Sequence, residues 1–278
     1  MTHVLDHPVA ALPQAPPKTT RKRLGVGKPI PYGRALGPLL LIGIWSVASA
    51  TGALDPRILD SPWTVLQTGW DLTQSGKLPD SVPTSLRRAA LGFLFGGIAG
   101  TVLAIVAGLS RVGEALIDGT VQVKRAIPSL GLIPLLILWL GIGEEFKIVV
   151  IALGVAVIMY LQTYTALTGI DSRYVELAEV VGLSRAQFIR KVVFPGALPG
   201  WFLGLRLGVT GSWLFLIVLE QINATSGIGY LMFQAQNYGQ TDVIVVGLVV
   251  YGLFGFLSDA VLRLVERRAL SWRRTLSG

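Results

Sequence analysis

The chain offers few groups able to do covalent chemistry. It has no cysteine, which excludes a thiol nucleophile, a thiolate metal site and a disulfide framework. Its two histidines, His3 and His7, lie at the extreme N-terminus. A histidine-based triad or metal site is therefore not expected. Gly25-Val26-Gly27-Lys28 has part of a phosphate-binding loop. The full motif needs a glycine five residues before the second glycine, and Ser or Thr after the lysine. Lys22 and Pro29 occupy those places, so the motif is rejected. What remains is charge set at intervals between apolar runs, which suits recognition better than catalysis.

The most informative charged stretch runs from Asp171 to Pro195, between two apolar segments. Tyr174, Leu177, Ala178 and Val181 recur at helical spacing, with Arg173, Glu176 and Glu179 elsewhere on the turn. Gly182 is placed to stop that helix. Ser184 with Gln187 three residues on is a capping-box pattern that starts a second helix. Pro195 removes a backbone donor and is expected to end or kink it.

This stretch resembles the cytoplasmic loop of ABC importer permeases. The family pattern is Glu-Ala-Ala, three residues, Gly, nine residues, then an aliphatic residue, a spacer, an apolar residue and Pro. Glu176, Ala178, Gly182, Val192, Phe194 and Pro195 match it in type and spacing. Leu177 replaces the middle alanine. The resemblance implies that the first short helix, with Tyr174 and Glu176 to Ala178, is a coupling helix seated in an ATP-hydrolysing partner. An ordinary amphipathic loop helix is the other reading.

The elements around the loop are those of a membrane protein. The chain has 278 residues, 52% hydrophobic and 14% charged, with mean hydropathy +0.62. Soluble domains carry about 25% charged residues. Residues 1–34, with Pro8, Pro13, Pro16, Pro17 and a basic cluster from Arg21 to Lys28, read as a disordered cytosolic tail. A membrane helix needs about 20 mostly apolar residues. Six stretches qualify: Ala35–Leu54, Ala89–Ser110, Ala126–Gly143, Ile148–Ile170, Leu198–Glu220 and Val243–Leu262. Lys124, Arg125 and Asp118 mark a polar start to the third. Trp63, Leu66 and Trp70 suggest a short interfacial helix before the second. The expected fold is all-α with six transmembrane helices, a permease domain over 35–268 and a short tail over 269–278.

Lys and Arg set the orientation. With the N-terminus cytosolic, sixteen fall on inner segments and three, Arg57, Lys77 and Lys147, on outer ones. Both termini and the 171–195 loop are then cytosolic. The net charge of +8 is explained by this bias, so it is evidence neither for nucleic acid nor for an anionic cargo.

Within the spans, Gly92, Gly96, Gly100, Ala104 and Gly108 recur every fourth place, as do Gly200, Gly204, Gly208 and Ser212. Such ridges let helices approach closely, by packing within one subunit or by sliding during transport. Pro128 and Pro134 interrupt the third span, as a packed kink or a pore-lining break. Arg206 is a charge inside the fifth span. It could face a pathway or snorkel, but pairing with Glu176 or Glu179 is the favoured reading. Pro128, Pro134, Arg206 and Ser212 are thus candidate pathway or gating residues. Glu144, Glu145 and Glu220 read as docking or solvated residues.

Further segments resemble the nitrate/sulfonate/taurine branch of the same permeases. They are Arg125 to Leu130, Ile133 to Leu135, Trp139 to Glu144, Ala224 to Leu231 and Gln240 to Asp242, the last two most like aliphatic-sulfonate permeases. The resemblance covers Leu59 to the C-terminus. It implies a multi-pass prokaryotic inner-membrane subunit working with a second permease copy, two ATP-binding subunits and an extracytoplasmic solute-binding protein. It implies no cofactor on this chain, with ATP and Mg held by the ATPase partner. Nitrate, taurine, bicarbonate or a vitamin precursor are alternative cargoes. A secondary transporter, an intramembrane enzyme or a scaffold are rivals of other classes.

Overall fold

The structure, a computed structural model, describes residues 33–272. Most of the Pro-rich tail and the last six residues lie outside the described part. The chain divides into two units at Ile44/Trp45. The first holds the start of α1 (Gly33–Ala50), whose apolar part, Ala35–Ala50, is shorter than the four helices long enough to cross a membrane.

All described elements are helical. After α1 come α2 (Pro62–Gln74), α3 (Lys77–Leu109), α4 (Arg111–Ala126), α5 (Ile133–Leu140) and α6 (Glu144–Thr168). Then follow α7 (Ser172–Val180), α8 (Arg185–Phe188), α9 (Phe194–Asn223), α10 (Ile228–Asn237) and α11 (Thr241–Ala269). Four are long and apolar enough to cross a membrane: α3, α6, α9 with the turns before it, and α11. α4 and α5 with its preceding turn pass the same test only as a pair, bent by 86°.

α6 is the centre. α3 lies beside it in the same direction, since Arg88 meets Glu144 at one end and Gly108 lies against Leu167 at the other. α9 runs back along it. Both neighbours close on α6 through their small-residue ridges. A methyl group added at Gly92, Gly96 or Gly100 would come within 2.5, 2.5 and 2.3 Å of Ile151, the Ala152 carbonyl and the Ala156 carbonyl. One added at Gly200 would reach 2.4 Å from the Ala166 Cβ. The ridges therefore pack within one subunit. Phe146, Val150, Ile151, Val155 and Met159 form the fully buried spine of α6.

Two elements depart from the sequence expectation. The second span begins at Lys77, not Ala89. Pro79 falls in the first turn of α3, where backbone donors lack partners anyway, and the helix tolerates Pro83 within it. The third span is broken instead of continuous from Ala126. Proline disfavours helical geometry in the residue before it, and Ile127 is extended at φ −92°, ψ 115°. Pro128 thus stands in the break, before a 3-10 turn over Ser129–Leu132, and Pro134 sits in the first turn of α5. Neither stands in a helix interior.

The ridge contact yields a direct test. Gly100→Ala forces a carbonyl and a Cβ apart, at about 1–3 kcal/mol. Gly97→Ala meets nothing within 4 Å and removes only chain entropy. Thermal unfolding in detergent should show a lowered midpoint for the first and an unchanged or raised one for the second.

Candidate functional site

The 171–195 loop is built from local caps. The Asp171 carboxylate accepts from the Arg173 backbone N–H at 3.0 Å and starts α7. The Arg173 guanidinium lies 2.5 Å away and holds that carboxyl below its ordinary range. At the far end the Leu183 N–H bonds the Ala178 carbonyl and the Gly182 N–H the Glu179 carbonyl. This Schellman pair needs a left-handed residue, and Gly182 has φ +72°. The Ser184–Gln187 capping box forms in both directions and starts α8. Arg185 donates to the Leu109 carbonyl at 2.9 Å, tying the loop to the end of α3.

Pro195 does not end this helix. A π-turn over Ile189–Val193 precedes it, and the Phe194 N–H reaches back to the Ile189 carbonyl. The wider turn places Pro195 at the first positions of α9, where its missing donor costs little. The helical rod is therefore continuous from Arg185 to Ile222. Of the loop candidates, Ala178 is buried, while Tyr174, Glu176, Leu177 and Gly182 face outward. Leu177 is 57% exposed and Val180 86%, so α7 presents apolar side chains that the described residues leave largely uncovered.

The opposite end of the bundle holds a charged junction that sequence reasoning missed. Arg88 on α3 is 1% exposed. It grips Glu144 of α6 through two bonds of 2.5 Å, Glu220 of α9 at 2.6 Å and the Ser226 carbonyl at 2.6 Å. Glu220 is wholly buried and also accepts from Ser85, the Gly229 N–H and the Tyr251 hydroxyl. Lys147 completes the cluster at 3.1 Å from Glu144. Glu220 is thus no solvated residue, and Glu144 is a partner of Arg88. The signal was present: Arg88 opens one apolar run and Glu220 closes another, and the structure brings both to one end of the bundle.

At this end a cleft of about 850 Å³ lies between α2, α10 and the starts of α3 and α11. It carries Asp71, Asp80 and Asp242 against Lys77, a balance that disfavours an anion.

The remaining candidates divide. Arg206 pairs with Asp259 at 2.9 Å and approaches Glu266 at 3.7 Å, both on α11, and not with Glu176 or Glu179. Both glutamates lie exposed on α7. Ser212 is 1% exposed and donates to the Val209 carbonyl of its own helix, so it is a packing residue in this chain. Pro128 and Pro134 are exposed at the broken span.

A family model described as binding-protein-dependent transport system inner membrane component matches residues 96–271. The chain belongs to this family. It is similar to two aliphatic sulfonates transport permease proteins named SsuC. The relative from Escherichia coli (strain K12) is 43% identical over 235 residues, 84% of this chain and 89% of the relative. That from Bacillus subtilis (strain 168) is 36% identical over 271 residues, 96% and 97% of the two chains. Among solved structures, an inward-facing MetNI methionine ABC transporter matches with TM-score 0.56 at 21% identity, covering 69% of this chain and 98% of that one. That likeness concerns the fold. The permease fold places the continuous rod from loop to junction within one ABC transport subunit, which is a membrane component and not an enzyme.

Removing one partner of a buried ion pair leaves an uncompensated charge, at about 3–5 kcal/mol. Arg88→Met should therefore lower the permease's unfolding midpoint sharply, while Arg173→Met, at an exposed pair, leaves it unchanged. Equal midpoints for the two would remove the junction's structural role.

Proposed function

We propose that this permease imports an aliphatic sulfonate by ATP-driven alternating access. The observation that carries this reading is the identity of 36–43% to the two SsuC relatives, over nearly their whole length. In this reading two copies of the chain form the pathway, and two ATP-binding subunits receive one α7 each. An extracytoplasmic binding protein delivers the cargo. ATP and Mg are held by the ATPase partner.

The exposed apolar face of α7 supports the coupling role of Tyr174, Glu176, Leu177 and Ala178. Gly182 permits the turn behind it, and Pro195 lies where the loop enters α9. A push on α7 travels along the helical rod toward Glu220. α9 alone spans about 45 Å at 1.5 Å per residue. The glycine contacts and the Arg88 junction hold α3 and α6 to that rod, so the three move as one body. Six crossings follow if α1 and the bent α4–α5 pair each count as one, with both termini cytosolic.

Orientation is tested by labelling, since the chain has no native cysteine. Ser184→Cys should react with a membrane-impermeant maleimide from the cytosolic side, and Asn237→Cys from outside. The reverse pattern would overturn the topology.

Function is tested in proteoliposomes with the ATPase and the binding protein. Sulfonate-loaded binding protein should raise ATP hydrolysis several-fold, and the isolated permease should bind sulfonate only weakly. Gly182→Val has open space around it but puts a β-branched residue at positive φ, at about 1–2 kcal/mol. It should stay inserted yet hold the ATPase roughly tenfold less well. Micromolar sulfonate binding by the isolated permease, or uptake driven by an ion gradient without ATP, would refute the mechanism. Stimulation by nitrate or taurine alone would keep the importer and change its cargo.

A further inference from the structure

Five Lys or Arg side chains are partly or fully shielded among the described residues: Arg88, Lys124, Lys147, Arg206 and Arg263. Four have a carboxylate partner. Arg88 and Lys147 meet Glu144, and Arg206 and Arg263 meet Asp259. Lys124 alone does not. Its ammonium donates to the Ser129 hydroxyl at 2.6 Å and to the Leu153 carbonyl at 3.1 Å. An ammonium has three donors, so two neutral acceptors leave one donor and the whole charge uncompensated.

The place matters as much as the charge. Leu153 lies nine residues into α6, about 14 Å along the helix from Glu144 at 1.5 Å per residue. That depth falls inside a hydrocarbon core of about 30 Å. Lys124 lies in the last turn of α4, just before the break at Ile127–Pro128, and its bond to Ser129 spans that break. A broken helix at membrane depth is tolerated where it is packed in protein or borders a water-filled cavity. An unpaired cation at that depth is costly unless something else meets it.

We infer that Lys124 is the anion-contacting residue of the translocation pathway, offering its free ammonium donor to the oxyanion head of the cargo as it passes the α4–α5 break. The acceptors already on Lys124 are neutral, so they orient the ammonium without cancelling it. A neutral pair also lets the anion leave, because no second fixed cation holds it. Arg88 and Arg206 are unsuited to this role, since their carboxylates would repel the cargo. The inference rests on the anionic cargo proposed above, and it names the residue that meets it.

The cysteine-free chain allows a test of the charge itself. Lys124→Cys in the reconstituted complex should lose about 10–100-fold in uptake, the worth of a charge-assisted hydrogen bond. Reaction of that cysteine with 2-aminoethyl methanethiosulfonate restores a cation of similar length and should recover most of the uptake. Methyl methanethiosulfonate adds a neutral group and should not. Alkanesulfonate supplied through the binding protein during turnover should slow the modification. Binding-protein-stimulated ATP hydrolysis should persist in Lys124→Cys, because coupling does not pass through this ammonium. Undiminished uptake, equal recovery with the neutral reagent, or a thiol that reacts from neither side would overturn the assignment. If the cargo proves to be a different anion, the same comparison runs with that anion. If uptake needs no ATP, the importer mechanism fails while the charge rescue still decides the role of Lys124.

Discussion

The arrangement depends on the close approach of α3 and α9 to α6. In lipid an apolar side chain gains little by moving from acyl chains to protein, so helix association relies on packing. Gly96 and Gly100 of α3 bring its backbone against the Ala152 and Ala156 carbonyls, and Gly200 of α9 lies against the Ala166 Cβ. α6 reciprocates with Gly154, against which the Phe215 ring lies. A larger residue at Gly96 or Gly100 would meet a backbone carbonyl, and one at Gly92, Gly154 or Gly200 a packed side chain. The same absence of side chains that makes a ridge look featureless in sequence lets three long helices behave as one body.

The two ends of that body are finished differently. At one end Arg88, Glu144 and Glu220 bind α3, α6 and α9, with Tyr251 of α11 and the Gly229 N–H added to the same carboxylate. Buried charge of this kind adds little net stability but is costly to break, so it enforces one arrangement. At the other end the rod is uninterrupted, because the π-turn carries the hydrogen-bond ladder past Pro195. The two ends thus differ: a continuous helical connection at the loop, and a buried ionic clamp where three helices are held in register.

Much of this was legible in the residues. The loop was the clearest part, because its structure is local. Caps, a glycine stop and a capping box depend on neighbours a few residues away. The apolar runs were legible for the same reason. The failures were all non-local or concerned proline. Pairing Arg206 with Asp259, and not with Glu176 or Glu179, depends on α9 and α11 being antiparallel neighbours. Burial of Glu220 depends on four other segments converging. Composition marked Ala126–Gly143 as one span, since hydropathy is blind to the extended geometry that Pro128 imposes on Ile127. Pro195 showed the opposite error: a π-turn absorbs what α-helical geometry would not.

Charge bookkeeping then links the fold to transport. Arg88 is matched by two carboxylates and Arg206 by Asp259, so the strongest interior cations are already neutralised. The cleft at the junction end carries more aspartates than lysines. A chain built this way offers an anion no deep electrostatic well. A well would make the pathway a binding site, and a solute held tightly in mid-membrane leaves slowly. Specificity and affinity can instead reside in a separate delivery protein, while the membrane subunit supplies a packed helical body. A positive net charge is thus no measure of what the pathway offers an anion, since its best-buried cations are already paired.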